Sequence, residues 1–139
     1  MRRVVVTGLG TINPTGNSVE ESWDSIKNGK IGIGEISTFD TTDYKIKVAG
    51  EVKNFDPASK LDKREIRHTA RFTLLAQYAA EEAIKDSGLC VPSEGEYSFD
   101  TPVSEAPADR CGVIVSSGIG GLDEIERQHS RSVEKETDL

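Results

Sequence analysis

Two short runs of β-branched residues, each followed by glycines, are the feature that most constrains the fold of this chain. The first run lies in residues 2–7 and contains Val4-Val5-Val6 before Gly8-Leu9-Gly10. The second lies in residues 110–116 and contains Val113-Ile114-Val115 before a second group of glycines. Such runs are typical of buried strands that enter a turn. Because a helical pattern follows each turn, the order strand, turn and helix occurs twice and predicts an α/β fold.

Local patterns predict the shorter elements. A capping box at Ser18-Val19-Glu20-Glu21 predicts a helix that ends at about Lys27. Residues 29–43, which are rich in glycine and threonine, are predicted to form a loop. The alternation of apolar and charged residues over 44–48 predicts a half-exposed strand, and Asp56-Pro57 predicts a turn or a helix start.

The longest helix is predicted over residues 62–87. It begins at the D-x-x-E pattern of Asp62 and Glu65 and ends at Gly88. At 100° per residue, its cationic side chains fall within an arc of about 140°, opposite the apolar ones. These cationic residues are Lys63, Arg64, Arg67, His68 and Arg71. The sequence therefore predicts a basic helical face on a chain whose net charge is −7.

The rest of the chain is predicted as a loop and a final helix. Residues 89–109 contain three prolines and little periodicity, so we expect an exposed connection there, with residues 90–109 as a loop insertion. The spacing of apolar residues then predicts a helix that ends in the charged tail at 134–139. The residues with this spacing are Leu122, Ile125, His129 and Val133.

Charge and cysteine content exclude several protein classes. The chain has 17 basic and 24 acidic residues, which argues against general nucleic-acid binding. No apolar run approaches the roughly 20 residues of a membrane helix, and the first residues lack the apolar stretch of a signal peptide. Cys90 and Cys111 lie in no metal-ligand spacing and are typical of free thiols in a reducing compartment. We expect a cytoplasmic protein that contacts neither nucleic acid nor membrane.

Patterns that could carry chemistry are weak. Gly8-Leu9-Gly10 could begin a dinucleotide fingerprint, but Asn13 stands in place of the third glycine, so a structural turn is favoured over nucleotide binding. Both cysteines lack a neighbouring base, and neither His68 nor His129 lies in a metal-ligand or nucleophile pattern. The sequence therefore predicts no catalytic residue, no metal site and no cofactor.

An ordered set of motifs closely resembles the N-terminal region of the β-ketoacyl-acyl-carrier-protein synthases, and the elongating type II enzymes match best. The set comprises residues 2–10, Asp86-Ser87-Gly88-Leu89 and residues 117–122. Phe39-Asp40, Val48-Ala49-Gly50 and Phe55 lie in order between these motifs. The resemblance covers nearly the whole chain except residues 90–109.

The resemblance implies a thiolase-like fold, a duplicated α-β-α-β-α layered sandwich, of which residues 1–139 would form the N-terminal portion of the first half. Members of the family catalyse decarboxylative Claisen condensation of malonyl-acyl-carrier-protein with an acyl group held on a cysteine, and they commonly form homodimers. This sequence ends before their cysteine and two histidines, so the chain alone is expected to be inactive. A truncated or split condensing enzyme and a noncatalytic carrier-protein-binding module both remain open.

Two functional positions of the family align with residues present here. The surface that docks acyl carrier protein in the family includes cations that align with Lys63, Arg64, Arg67 and His68. Because acyl carrier protein is acidic, a cationic patch would attract it, although a merely solvated helix face is the alternative. Ile119 aligns with an isoleucine that borders the acyl pocket of the family, with ordinary core packing as its alternative.

Overall fold

The computed structural model describes residues 3–59, 61–88 and 112–137. The regular elements in these ranges are four helices, one 3-10 turn and one antiparallel sheet of two strands. The elements are, in chain order, α1 (Val19–Lys27), β1 (Ile33–Glu35), β2 (Val48–Gly50), the 3-10 turn (Pro57–Ser59), α2 (Lys63–His68), α3 (Arg71–Ser87) and α4 (Leu122–Thr137). Both Cys90 and Cys111, together with the predicted insertion at 90–109, lie outside the described residues.

Helix α1 begins and ends where its caps predict. The Ser18 hydroxyl accepts a hydrogen bond from the Glu21 backbone N–H at 3.1 Å. The Glu21 carboxylate accepts from the Asn17 N–H at 2.8 Å, one residue earlier than a capping box requires. At the other end, Asn28 caps the helix and Gly29 has φ of 66°, which a residue without Cβ adopts readily.

The sheet corrects two predictions. Strand β1 lies inside the segment 29–43 that was expected to be a loop, and β2 overlaps the predicted strand 44–48 only at Val48. In the observed register Ile33 pairs with Gly50. Gly32 and Gly50 allow close packing here, because a Cβ on Gly32 would lie 2.8 Å from Cγ2 of Thr15 and a Cβ on Gly50 would lie 2.9 Å from Cγ of Pro14.

The predicted helix over residues 62–87 is wrong as a single element, because two helices occupy this stretch. Thr69 and Ala70 have extended backbone between α2 and α3, and no glycine or proline marks the break. Ala70 is in tight contact with the turn before α4, since a Cβ on Gly121 would lie 3.0 Å from the Ala70 Cβ. Tertiary contact of this kind is invisible to helical periodicity. The D-x-x-E start and the left-handed Gly88 at the end are both confirmed.

The strands predicted at 2–7 and 110–116 are not confirmed, since none of their described residues belongs to a strand. They are also not buried: Val4 is 95% exposed and Ile114 is 99% exposed. Residues 8–11 lie instead against α3, where the absence of Cβ atoms allows close approach. A Cβ on Gly8 would lie 2.2 Å from the Ala83 carbonyl oxygen.

Carboxylates of α3 hold the N-terminal segment in this position. Asp86 Oδ2 accepts a hydrogen bond from the Leu9 N–H at 2.9 Å. Glu82 accepts two, from the Thr11 N–H at 2.9 Å and from the Val19 N–H at 2.8 Å. Helix side chains thus satisfy backbone donors in the segment that follows the predicted strand 2–7.

The helix predicted from Leu122 is confirmed as α4, and its apolar stripe lies exposed. Its predicted end is wrong, because α4 continues through residues 134–137 of the expected charged tail to Thr137. Leu122, Ile125 and Val133 are each at least half exposed. Among the described apolar residues, only Leu74 on α3 is buried, with 5% of its surface exposed. The packed core of the described residues is accordingly small.

Candidate functional site

A capping box builds the short helix that carries all four predicted docking residues. Asp62 Oδ1 accepts from the backbone N–H groups of Arg64 and Glu65, each at 2.7 Å. In the reciprocal hydrogen bond, the Glu65 carboxylate accepts from the Asp62 backbone N–H at 3.1 Å. Three backbone N–H groups at the start of α2 are therefore satisfied, which stabilises a helix of only six residues.

The cationic side chains of α2 form no ion pair with the residues that the structure describes. Lys63, Arg64, Arg67 and His68 are all exposed. Arg67 Nε donates to the Lys63 carbonyl oxygen at 3.0 Å, which folds that side chain back along the helix. Within the described ranges none of the four forms an ion pair. We call Lys63, Arg64, Arg67 and His68 the basic patch.

Beside the basic patch lies a groove of about 480 Å³. Arg64 and His68 line it, together with Leu61, Thr69, Gln77 and the two capping carboxylates. The guanidinium, imidazole, hydroxyl and amide groups of this lining can donate hydrogen bonds to oxygen acceptors. The patch can therefore offer both charge and directed donors to an anionic surface.

Arg71, which the sequence placed on the same helical face, belongs to a different element. It begins α3, after the extended Thr69 and Ala70, so the 100° spacing from Lys63 no longer applies. Its Nη2 donates to the Val52 carbonyl oxygen at 3.2 Å, and its guanidinium lies 5.6 Å from the centroid of the Phe55 ring. Sequence reasoning missed this cation–π contact, because the two residues are brought together only by the fold.

Ile119 lies in the glycine turn before α4, whereas the basic patch lies on α2. The Gly120 backbone N–H donates to the Ser117 hydroxyl at 2.9 Å, and Gly120 has φ of 83°. The predicted turn is therefore confirmed. The Ile119 side chain is 73% exposed, so ordinary core packing does not describe it among the described residues.

The remaining sequence candidates give no further site. His129 is exposed on α4. Across residues 3–59, 61–88 and 112–137, no group of three or more histidine, cysteine, aspartate or glutamate side chains could hold a metal ion. None of the helices in these ranges combines the length and apolarity needed to cross a bilayer.

Comparisons with known proteins agree with the motifs. The family described as beta-ketoacyl synthase, N-terminal domain, matches residues 1–138. The 3-oxoacyl-[acyl-carrier-protein] synthase 2 of Staphylococcus aureus (strain COL) is 40% identical over 134 residues, which is 96% of this chain and 30% of that protein. The enzyme of the same name from Coxiella burnetii (strain RSA 493 / Nine Mile phase I) is 40% identical over 128 residues, covering 92% of this chain and 28% of its own length.

A solved structure supports the fold class. The structure titled "The ishigamide ketosynthase/chain length factor" matches 63% of this chain and 22% of its own, with a TM-score of 0.57 and 35% identity. The predicted α/β, thiolase-like class is confirmed by this likeness together with the family match. The chain spans about 30% of the length of the curated relatives. It belongs to the beta-ketoacyl synthase family, and the match is to the N-terminal domain of that family.

Proposed function

We propose that this chain contributes the N-terminal part of a β-ketoacyl-acyl-carrier-protein synthase and that its basic patch docks acyl carrier protein. The observation that carries the docking proposal is the exposed cationic surface of α2, free of ion pairs within the described residues. The names of the relatives supply the partner, because both are 3-oxoacyl-[acyl-carrier-protein] synthases.

The reaction assigned to the whole enzyme is fatty-acid elongation. An acyl group held on a cysteine condenses with malonyl-acyl-carrier-protein, which loses carbon dioxide as the new carbon–carbon bond forms. The family resemblance assigns the nucleophilic cysteine and the two histidines to positions that neither Cys90 nor Cys111, nor His68 nor His129, occupies. This chain contributes carrier-protein docking and, through Ile119, one wall of the acyl pocket.

Electrostatics explain why docking would use α2. The chain carries a net charge of −7, so most of its surface repels an acidic protein. A local cationic patch attracts such a partner to one place and raises the association rate more than the final affinity.

Residues 1–139 would form the N-terminal portion of the first thiolase-like half of a cytoplasmic enzyme that acts as a homodimer.

Binding of apo acyl carrier protein to the purified chain tests the docking proposal. Arg64→Glu should weaken binding about tenfold at low salt and much less at high salt, because screening removes the contribution of exposed charges. Arg131→Glu on α4 is the matched control, since it makes the same charge change at another exposed arginine. Circular dichroism should show that both variants remain folded.

Two outcomes would contradict the proposal. Equal weakening by Arg64→Glu and Arg131→Glu would indicate a general effect of net charge. Unchanged affinity of Arg64→Glu at low salt would leave the basic patch as a solvated helix face.

A further inference from the structure

A second groove lies beside the start of α3, and it shares no lining residue with the groove next to the basic patch. Its volume is about 540 Å³. Ile36, Phe39 and Val52 provide apolar lining, and Lys53 and Arg71 provide two cationic side chains. Apolar surface thus lies next to positive charge.

The groove has a small net positive charge, because Lys53 and Arg71 outnumber its single carboxylate, Glu51. Glu51 accepts hydrogen bonds from the Ser37 N–H at 3.0 Å and from the Ser37 hydroxyl at 2.7 Å. It also accepts from the N–H and hydroxyl of Thr38. Lys53 and Arg71, in contrast, form no ion pair among the residues that the structure describes.

Contacts within the chain hold the groove in shape. The Phe39 ring meets the Tyr44 ring edge-on, with centroids 5.6 Å apart, and Phe39 is still 53% exposed. Arg71 is held between the Phe55 ring and the Val52 carbonyl oxygen. Because these contacts restrict the Phe39 and Arg71 side chains, a partner would lose less conformational entropy on binding them.

We propose that this groove binds an acidic protein segment that carries an aliphatic side chain. The aliphatic side chain packs against Ile36 and Phe39, and the flanking carboxylates pair with Lys53 and Arg71. A protein segment fits better than a small molecule, since Phe39, Lys53 and Arg71 are all exposed and would not enclose a small ligand. Identification of this segment with acyl carrier protein rests on the proposed function, whereas the chemistry of the groove does not.

Two variants of the 139-residue chain test the groove. Lys53→Glu reverses a charge whose side chain makes no hydrogen bond within the described residues, and Phe39→Ala removes the exposed ring. Each should weaken binding of apo acyl carrier protein about five- to tenfold. The matched controls, Lys30→Glu and Trp23→Ala, alter another exposed lysine and another exposed aromatic residue and should leave affinity unchanged. Circular dichroism should show that each variant remains folded.

A second probe separates the groove from the identity of the partner. A synthetic acidic peptide containing leucines should bind the unmodified chain, and the same peptide with serine in place of leucine should bind at least fivefold more weakly. Lys53→Glu and Phe39→Ala should weaken the leucine peptide, whereas Arg64→Glu on α2 should have a smaller effect.

The outcomes distinguish the two proposals. If only Arg64→Glu weakens binding of the carrier protein, and neither groove variant affects either probe, the groove inference is overturned and α2 docking stands. If the carrier protein does not bind but the leucine peptide depends on Lys53 and Phe39, docking of carrier protein fails and the groove stands. Failure of the leucine peptide to bind overturns the groove.

Discussion

The two backbone hydrogen bonds accepted by Glu82 allow a quantitative test of how the N-terminal segment is attached. One carboxylate oxygen accepts from Thr11 and the other from Val19, at 2.9 and 2.8 Å. Glu82→Gln retains one acceptor but turns an amide NH₂ toward the other backbone N–H. A hydrogen bond to a charged group contributes about 1.5–3 kcal/mol, and an unsatisfied donor adds a further cost. We expect the free energy of unfolding to fall by about 2–4 kcal/mol.

Asp86 provides the matched control. It accepts a single hydrogen bond, from Leu9, so Asp86→Asn can keep that bond through its amide oxygen and should cost only about 1 kcal/mol. Urea unfolding followed by circular dichroism measures both variants, and hydrogen exchange at the Thr11 and Val19 amides reports the local loss. Equal destabilisation by the two variants, or unchanged exchange at both amides in Glu82→Gln, would show that Glu82 does not attach this segment through two hydrogen bonds.

Four further predictions concern packing, pH and activity. Gly10→Ala should destabilise the chain by about 3 kcal/mol in urea unfolding, because its Cβ would lie 1.9 Å from the Ala79 carbonyl oxygen. Gly118→Ala is the control and should have no effect, because no atom lies within 4 Å of a Cβ at that position. The side-chain and backbone hydrogen bonds of Ser37 hold the pKa of Glu51 below its ordinary value of 4.5. Their stabilisation is present above that value and is lost as pH falls through the lower folded pKa, so the Ser37 amide resonance should change below about pH 4.5 and not above pH 6. In a complete condensing enzyme that contains this chain, Arg67→Glu should raise KM for carrier-bound substrates and leave small pantetheine thioesters unaffected; equal losses for both would point to misfolding. The purified chain alone should form no ketoacyl product from acyl and malonyl carrier proteins, and product that survives replacement of both cysteines would contradict the family assignment of the nucleophile.

Elements whose ends depend on neighbouring residues were predictable from the sequence. Ser18 caps α1, the Asp62–Glu65 pair caps α2, and Gly88 closes α3, because each of these interactions joins residues a few positions apart. The basic patch was predictable for the same reason. Its four members lie on one short helix, so their proximity does not depend on the rest of the fold.

Features that depend on distant residues were not predictable. The break at Thr69 and Ala70 has no glycine or proline signal and coincides with contact between Ala70 and the turn before α4. The run at 2–7 has the composition of a buried strand, but a strand requires a pairing partner that composition does not specify. Leu9 and Thr11, which follow this run, donate to α3 carboxylates through contacts more than 70 residues apart in sequence.

The carboxylates next to the cations of the basic patch and of the second groove bond to neutral donors and form no ion pair with these cations among the described residues. Asp62 and Glu65 accept backbone N–H groups at the α2 cap, and Glu51 accepts from Ser37 and Thr38. These acidic groups bond to neutral donors and leave the ammonium and guanidinium groups beside them unpaired. Lys63 and Arg64 consequently contribute charge to the surface without contributing an ion pair to the fold of the described residues. Reversal of either charge should therefore change association with an acidic partner while leaving the free energy of unfolding within about 0.5 kcal/mol, which makes docking and folding separable by mutation.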